Sequence, residues 1–413
     1  MRRTTAALVR CILVLTLLLA AAGCDAPVRR VTIMVPWSGN EFQAFYAVIQ
    51  KFENDRHVKV DVQVSRDLTQ QLDAAVGANA PPDLAVLSSV AAVHFYAGKH
   101  LRALDIDTSS FVQPFRGLGM KGEKVYAVPV KADIKSLVWH GPGIAGPLPK
   151  GWSGFRDRPE RWCLGLESGP TSGWPGADWI ADILLADKQG VRKYKDWLSG
   201  DTKWKSLSVQ NAWKTWRGLV EESLVGASKL PFLKATGGMM RPSPTCSLSH
   251  GALSAMAFEQ DDVKAGRYRH VEPLQNALQV SADYIGKFTK DDDPNNASAD
   301  QLISYLASEK AQQAWVDAST SYALSARKDV TDYANSNTQQ ELAEILRSDA
   351  TLCFTAADAM DPDVSAAFYR AVLDYAQGDV KDPEELLNSL DNVQSKMGHS
   401  PQSLTAKLCA TPT

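Results

Sequence analysis

The sequence lacks the features that would place it across a membrane, on a nucleic acid or around a metal. Beyond the first 30 residues every hydrophobic run is interrupted by Lys, Asp, Glu or Pro, well short of the ~20 apolar residues that a spanning helix needs. Neither sign of charge dominates: 44 Lys and Arg stand against 47 Asp and Glu, and the formal net charge of -3 gives no electrostatic reason to expect nucleic acid. The six cysteines and seven histidines show no Cys-x-x-Cys or His-x-x-x-His spacing, so neither a metal nor any other cofactor is expected. Asp291-Asp-Asp-Pro-Asn-Asn296 reads as a solvated turn rather than a calcium loop. There is no glycine-rich phosphate loop ending in Lys-Ser or Lys-Thr and no His-Glu-x-x-His motif. In Gly165-Leu-Glu-Ser-Gly169 the serine stands one position late for a nucleophile elbow, and paired carboxylates are too common to signify a glycosidase, so no enzyme is expected.

What is present begins with an export signal. A basic start, Arg2-Arg3, an apolar stretch from Ile12 to Leu19 and the small residues Ala20-Ala-Ala-Gly23 precede Cys24. Small residues directly before a cysteine resemble the lipobox of bacterial lipoproteins, in which the cysteine becomes the diacylated N-terminus. Residues 1–23 are therefore expected to be removed and Cys24 to be lipidated. Residues 24–30 would then tether a soluble body to the outer face of a bacterial cell membrane. An ordinary secretory signal with an incidental cysteine is the alternative. Cys11 leaves with the leader, so Cys163, Cys246, Cys353 and Cys409 remain, in a compartment where disulfides persist. Four cysteines allow three pairings; Cys163 with Cys246 and Cys353 with Cys409 is the pairing taken as the expectation, with four free thiols as the alternative.

The remaining 390 residues exceed what one hydrophobic core usually serves, and two domains are expected. The N-terminal part alternates strands and helices. Val31–Pro36 is β-rich, Phe42, Phe45, Val48, Ile49 and Phe52 recur at helical spacing, and Val58–Val64 alternates as a strand. Asp67 can cap a helix through Leu68, Leu72 and Val76, and Leu84–Leu87 is an apolar strand. This order implies a parallel α/β sheet, whose ligands sit beyond the carboxyl ends of the strands, at Trp37–Asn40 and at Ser88-Ser89. From Gly141 to Trp179 the chain is rich in Gly, Pro and Trp, then turns helical; Val271–Phe288 is strand-like, and the last third is mainly helical.

Several segments resemble the extracellular solute-binding proteins of sugar-type ABC transporters, the receptors related to maltose-binding protein. They are Pro81-Pro-Asp83 before an apolar strand, Gly122–Pro129 before Lys135–Trp139, and Ala311-Gln-Gln-Ala-Trp315 before Ala323–Asp329. Within that family Trp162–Gly169, Gly173-Trp-Pro-Gly176 and Asp178-Trp179 are most similar to the α-glucoside-binding branch. Pro244-Thr-Cys246 also resembles a segment of that branch, which supports the Cys163–Cys246 bond. Departures are visible: Thr355 and Ala356 stand where the branch carries an acid, and His140 replaces a tyrosine, so a retuned pocket is expected.

The resemblance implies a two-lobed α/β fold of the periplasmic-binding-protein type, each lobe a sheet flanked by helices. One lobe would comprise residues 31–131 and 273–322, the other 132–272 and 323–413. Crossovers near Val130–Ile134, Val271–Leu274 and Ser321–Ala326 would let the lobes close on a carbohydrate without chemistry and present it to a permease, the receptor acting as a monomer. Sugar rings need aromatic platforms for their faces and planar polar groups for their hydroxyl rims. By resemblance Trp37, Ser38, Asn40, Arg66, Asp67, Ser88 and Ser89 would line one side of the cleft. Glu167, Ser168, Thr171, Ser172, Trp174, Glu259, Asp358 and Tyr369 would line the other, with Asp133 near the crossover. Simpler roles compete, since Glu167 could cap a turn and Arg66 with Asp67 could form an exposed ion pair. Trp197, Trp204, Trp213 and Trp216 sit at helical spacings and are expected to pack. The lipidation reading predicts that radiolabelled palmitate enters the wild-type protein in cells and does not enter Cys24→Ser; equal labelling of the two would remove the anchor.

Overall fold

The computed structural model describes residues 29–65, 68–144, 146–241, 243–272, 277–333, 336–378 and 382–412. The leader, Cys24, Arg66 and Asp67 lie outside the described residues. The first elements follow from apolar spacing. Strand β1 (Arg30–Val35) leads into the helix Gly39–Arg56, which buries Ala44, Phe45, Val48, Ile49 and Phe52 along one face. That helix stops at His57, whose left-handed backbone (φ 55°) returns an N–H to the carbonyl of Glu53. Strand β2 (Lys59–Val64), the helix Leu68–Gly77 and strand β3 (Leu84–Leu87) complete the expected alternation. Both β2 and β3 pair parallel to β1, as strands joined by helical crossovers must.

A short hairpin of β4 (Met120–Lys121) and β5 (Lys124–Val125) precedes the long strand β6 (Ala127–Ile134). Strands β7 (Val138–His140), β8 (Leu248–His250) and β9 (Arg269–Val271) form a separate antiparallel sheet in the order β8-β7-β9. The chain then returns through β10 (Leu278–Lys287), and β11 (Leu352–Phe354) and β12 (Cys409–Ala410) follow. The main sheet runs β12-β11-β10-β3-β1-β2, with β6 on the other side of β10. One edge of β10 thus changes partner along its length, from β11, parallel at Leu278–Val280, to β3, antiparallel at Tyr284–Lys287. The opposite edge pairs with β6 from Ile134 back to Ala127.

This gives a two-lobed α/β fold in which β6 and β10 belong to both sides. Their register shifts between Asp283 and Tyr284, opposite Pro129, which has no N–H to give to the ladder. The Pro129 carbonyl instead accepts from the side-chain amide of Gln312 at 2.9 Å. Ala132 is also bridged to Leu324 from the third connecting segment. Val271 ends β9, and residues 273 and 274 lie outside the described residues.

The second half has its own aromatic core. Trp197, Trp204, Trp213 and Trp216 are fully buried and surround Phe368 and Tyr375, with Trp197 and Trp204 edge-to-face at 4.7 Å. Aromatic side chains of this size each remove about 150–250 Å² from water, so the cluster accounts for much of the packing there. Ten residues of the helix Trp174–Leu185 are buried, and Asp182 on it accepts from His250 on β8 at 2.8 Å.

Cys163 is bonded to Cys246 and Cys353 to Cys409, and the second bond joins the facing residues of β11 and β12. A cross-link across 83 residues removes many conformations from the unfolded chain. Replacing Cys163 and Cys246 together by Ser is expected to lower unfolding free energy by about 2–5 kcal/mol, read from denaturant unfolding under oxidising conditions. An unchanged midpoint would show that the bond does not constrain the native protein.

Candidate functional site

Between the two lobes lies a cleft of about 530 Å³, within the size range of small-molecule sites. Its floor is the β6–β10 pair and its walls are the loops at the carboxyl ends of β1 and β3, the start of the helix Trp174–Leu185, and segments 252–259 and 320–323. The loop after β1 supplies Trp37, Ser38, Asn40 and Glu41. Ser38 precedes the helix Gly39–Arg56 as its N-cap residue, so Glu41 stands in the first turn, where the helix dipole favours a carboxylate.

Aromatic faces line the cleft unequally. Trp37 is only 3 % exposed, held edge-to-face against Trp315 at 4.8 Å and donating its indole N–H to Asp283 at 2.9 Å. It is a packed wall rather than an open platform. Trp174 is half-buried, edge-to-face with Phe232 at 5.0 Å, and the Lys135 ammonium lies 4.6 Å from its ring centre. Its position depends on Gly173, whose φ of 103° and tight approach to the Tyr369 carbonyl leave no room for a Cβ. Phe258 stacks on Tyr268 at 3.5 Å, and the Tyr322 hydroxyl donates to the Phe258 carbonyl at 2.8 Å.

Charge is concentrated at the centre of the floor. Lys131 contacts Glu41, Asp133 at 3.0 Å and Asp283 at 3.8 Å. Burial alone would lower its pKa, but Asp133, Glu41 and Asp283 together outweigh that and hold the ammonium charged. The same burial raises the pKa of Glu41, against the pull of Lys131. Ser88 donates to Asp283 at 2.5 Å and Ser254 to Asp133 at 2.7 Å. Lys135 pairs with Asp178 at 2.8 Å, whose other oxygen accepts from Thr355 at 2.7 Å. Burial lowers the Lys135 pKa less than Asp178 and Asp358 raise it. Asp358 keeps part of its surface on the cleft but is otherwise enclosed by protein. That enclosure, reinforced by Asp178 and Asp283 and opposed by Lys135, pushes its pKa up to about 7.

Of the residues expected from the sequence, Trp37, Ser38, Asn40, Ser88, Asp133, Trp174, Glu259 and Asp358 line this cleft. Ser89 does not: it caps the helix Val90–Tyr96 by accepting from the Ala92 N–H, and donates to the Asp358 carbonyl at 2.9 Å. Glu167 accepts from the Gly169 N–H at 2.9 Å, and Ser168, Thr171 and Ser172 bond within the same turn. Tyr369 lies on the helix Pro362–Gln377, packed behind Gly173. Thr355 and Ala356 are buried away from the cleft. Lining residues not anticipated are Glu41, Lys131, Lys135 and Asp283, with Phe232, Phe258 and Tyr322. The alternation Lys131, Asp133 was the available signal, because period two puts both on one face of a strand, with Lys135 following just past its end.

Comparison with known proteins places the chain. Residues 47–344 match the bacterial extracellular solute-binding protein family, and the chain belongs to that family. It is a solute receptor, not an enzyme. The α-glucosides-binding periplasmic protein AglE of Rhizobium meliloti is 24 % identical over 86 % of this chain and 85 % of its own. The osmoprotective compounds-binding protein GgtB of Synechocystis sp. is 25 % identical over 89 % of this chain and 93 % of its own. Among solved structures, a chitin oligosaccharide binding protein superposes with a TM-score of 0.73 at 16 % identity, covering 89 % of this chain and 98 % of that one. The GacH receptor of Streptomyces glaucescens, solved unliganded and with acarbose, gives 0.65 at 15 % identity over 89 % and 98 %.

Asp358 sets a pH dependence of known sign. An unfolded aspartate loses its proton near 3.9, about three units below the folded one, so between those values the folded state binds more protons and stability falls as pH rises. Asp358→Asn is expected to match the wild-type thermal midpoint near pH 4 and to exceed it by a few degrees at pH 8. Equal midpoints at both values would mean that Asp358 ionises freely.

Proposed function

We propose that this protein is the substrate-capturing lipoprotein of an ABC importer and that its solute is a carbohydrate, an α-glucoside or malto-oligosaccharide. The observation that carries the reading is a single cleft in which half-open aromatic faces, Trp174 and Phe232, stand beside carboxylates able to accept sugar hydroxyls. The relative named for α-glucosides and the sequence likeness at Trp162–Gly169 support the same class of ligand.

Capture is a hinge motion. Residues 31–131 with 273–322 form one lobe and 132–272 with 323–413 the other; β6, β10 and segment 321–326 are the connections that bend when a ligand bridges the walls. Closure presents a changed face to the permease, and the acyl chain on Cys24 keeps the receptor near it, raising its effective concentration.

Calorimetric titration with maltose, maltotriose, trehalose and sucrose tests the ligand class. At least one is expected to bind, with Trp174→Ala weakening that binding about tenfold or more and with a smaller radius of gyration at saturation in small-angle scattering. Absence of heat from all α-glucosides, or an unchanged radius with bound sugar, would sink the corresponding half of the proposal.

A further inference from the structure

Among the described residues that line the cleft, carboxyl groups outnumber cations. Glu41, Asp133, Asp283, Asp358 and Glu259 face two cations, Lys131 and Lys135, and no arginine or histidine is among the described lining residues. Lys135 is moreover claimed from behind by Asp178, a carboxylate outside the lining. Hydroxyl donors hold two of the carboxylates in place: Asp283 accepts from Ser88 and from the Trp37 indole, and Asp133 accepts from Ser254. Asp358 differs from these. Among the described residues no donor reaches its carboxylate, and the groups that act on it are Lys135, Asp178 and Asp283, two of them of its own sign.

A neutral sugar can donate hydroxyls to such a wall but leaves its excess charge in place, within a cleft whose protein walls strengthen the field. A ligand ammonium would donate to the carboxylate that no described donor reaches and cancel part of that excess. Resting on the reading of the protein as a sugar receptor, we infer that its solute is an amine-bearing sugar, with the ammonium held at Asp358 and Asp283 and the ring against Trp174 and Phe232. The aromatic wall and the acidic floor then recognise different parts of one molecule.

The test uses pairs of sugars that differ in one group. The full-length protein is titrated calorimetrically with trehalose against trehalosamine and with glucose against glucosamine, N-acetylglucosamine serving as the uncharged control, at low and at high salt. The amine of at least one pair is expected to bind about tenfold or more tightly than its neutral partner, the size of a charge-assisted contact, with the advantage reduced by salt. In Asp358→Asn the ratio of amine to neutral affinity is expected to fall towards one, whatever the absolute affinities. Neutral sugars binding as well as or better than their amines in both pairs would overturn the inference and leave the sugar-receptor reading standing. Heat from spermidine and from no sugar would overturn both, as would no heat from any of these ligands.

Discussion

Lys131 stands where β6 and β10 pair, and an ammonium can occupy that position only with carboxylates around it. Its side chain is 5 % exposed, and Glu41, Asp133 and Asp283 supply the opposing charge. Each of these reaches back to a different part of the molecule. Glu41 belongs to the first turn of the helix after β1; Asp283 orients Trp37 and Ser88 from the ends of β1 and β3; Asp133 holds Ser254 from the far wall. One buried cation thereby sets the relative positions of three loops. Removing it would leave several like charges enclosed together, a far larger disturbance than losing a surface ion pair.

Behind the floor a second polar network does comparable work without touching the cleft. Asp182 accepts from Ser136 and from His250, whose ring stacks on Trp179 at 4.8 Å, and Gln279 of β10 donates to the Asp178 carbonyl at 3.0 Å. These contacts fasten the helix Trp174–Leu185 to β8, to β10 and to the residues just after β6. Thr355 belongs here as well, since its hydroxyl fixes the carboxylate that holds Lys135. A departure from the α-glucoside pattern that suggests a retuned pocket therefore lies one residue removed from it, and acts by positioning a charge.

The first strands and helices were legible because their apolar residues repeat at periods that only one geometry buries, as Phe45, Val48, Ile49 and Phe52 do. The loop residues Trp37, Ser38, Asn40 and Ser88 were legible for a related reason: a parallel sheet directs ligands to the carboxyl ends of its strands. Of the central charges only Asp133 was legible; Glu41, Lys131 and Asp283 were not. Lys131 lies inside a strand that runs on to Ile134, and its partner Asp283 is 152 positions away. No local pattern encodes such a pairing. Glu167, Ser168, Thr171 and Ser172 illustrate the opposite difficulty, because polar residues that close their own turn have the same composition as polar residues that grip a ligand.

The shared strand also fixes an order of events. Until residue 287 has left the ribosome, β3 and β6 each present an edge without its partner, and the apolar faces they carry stay uncovered. β11 comes still later and can only dock on a strand that is already seated. A chain of this design is therefore incomplete in both halves for the first two thirds of its synthesis, a state that suits passage through a membrane in unfolded form and exposes any stalled product to aggregation.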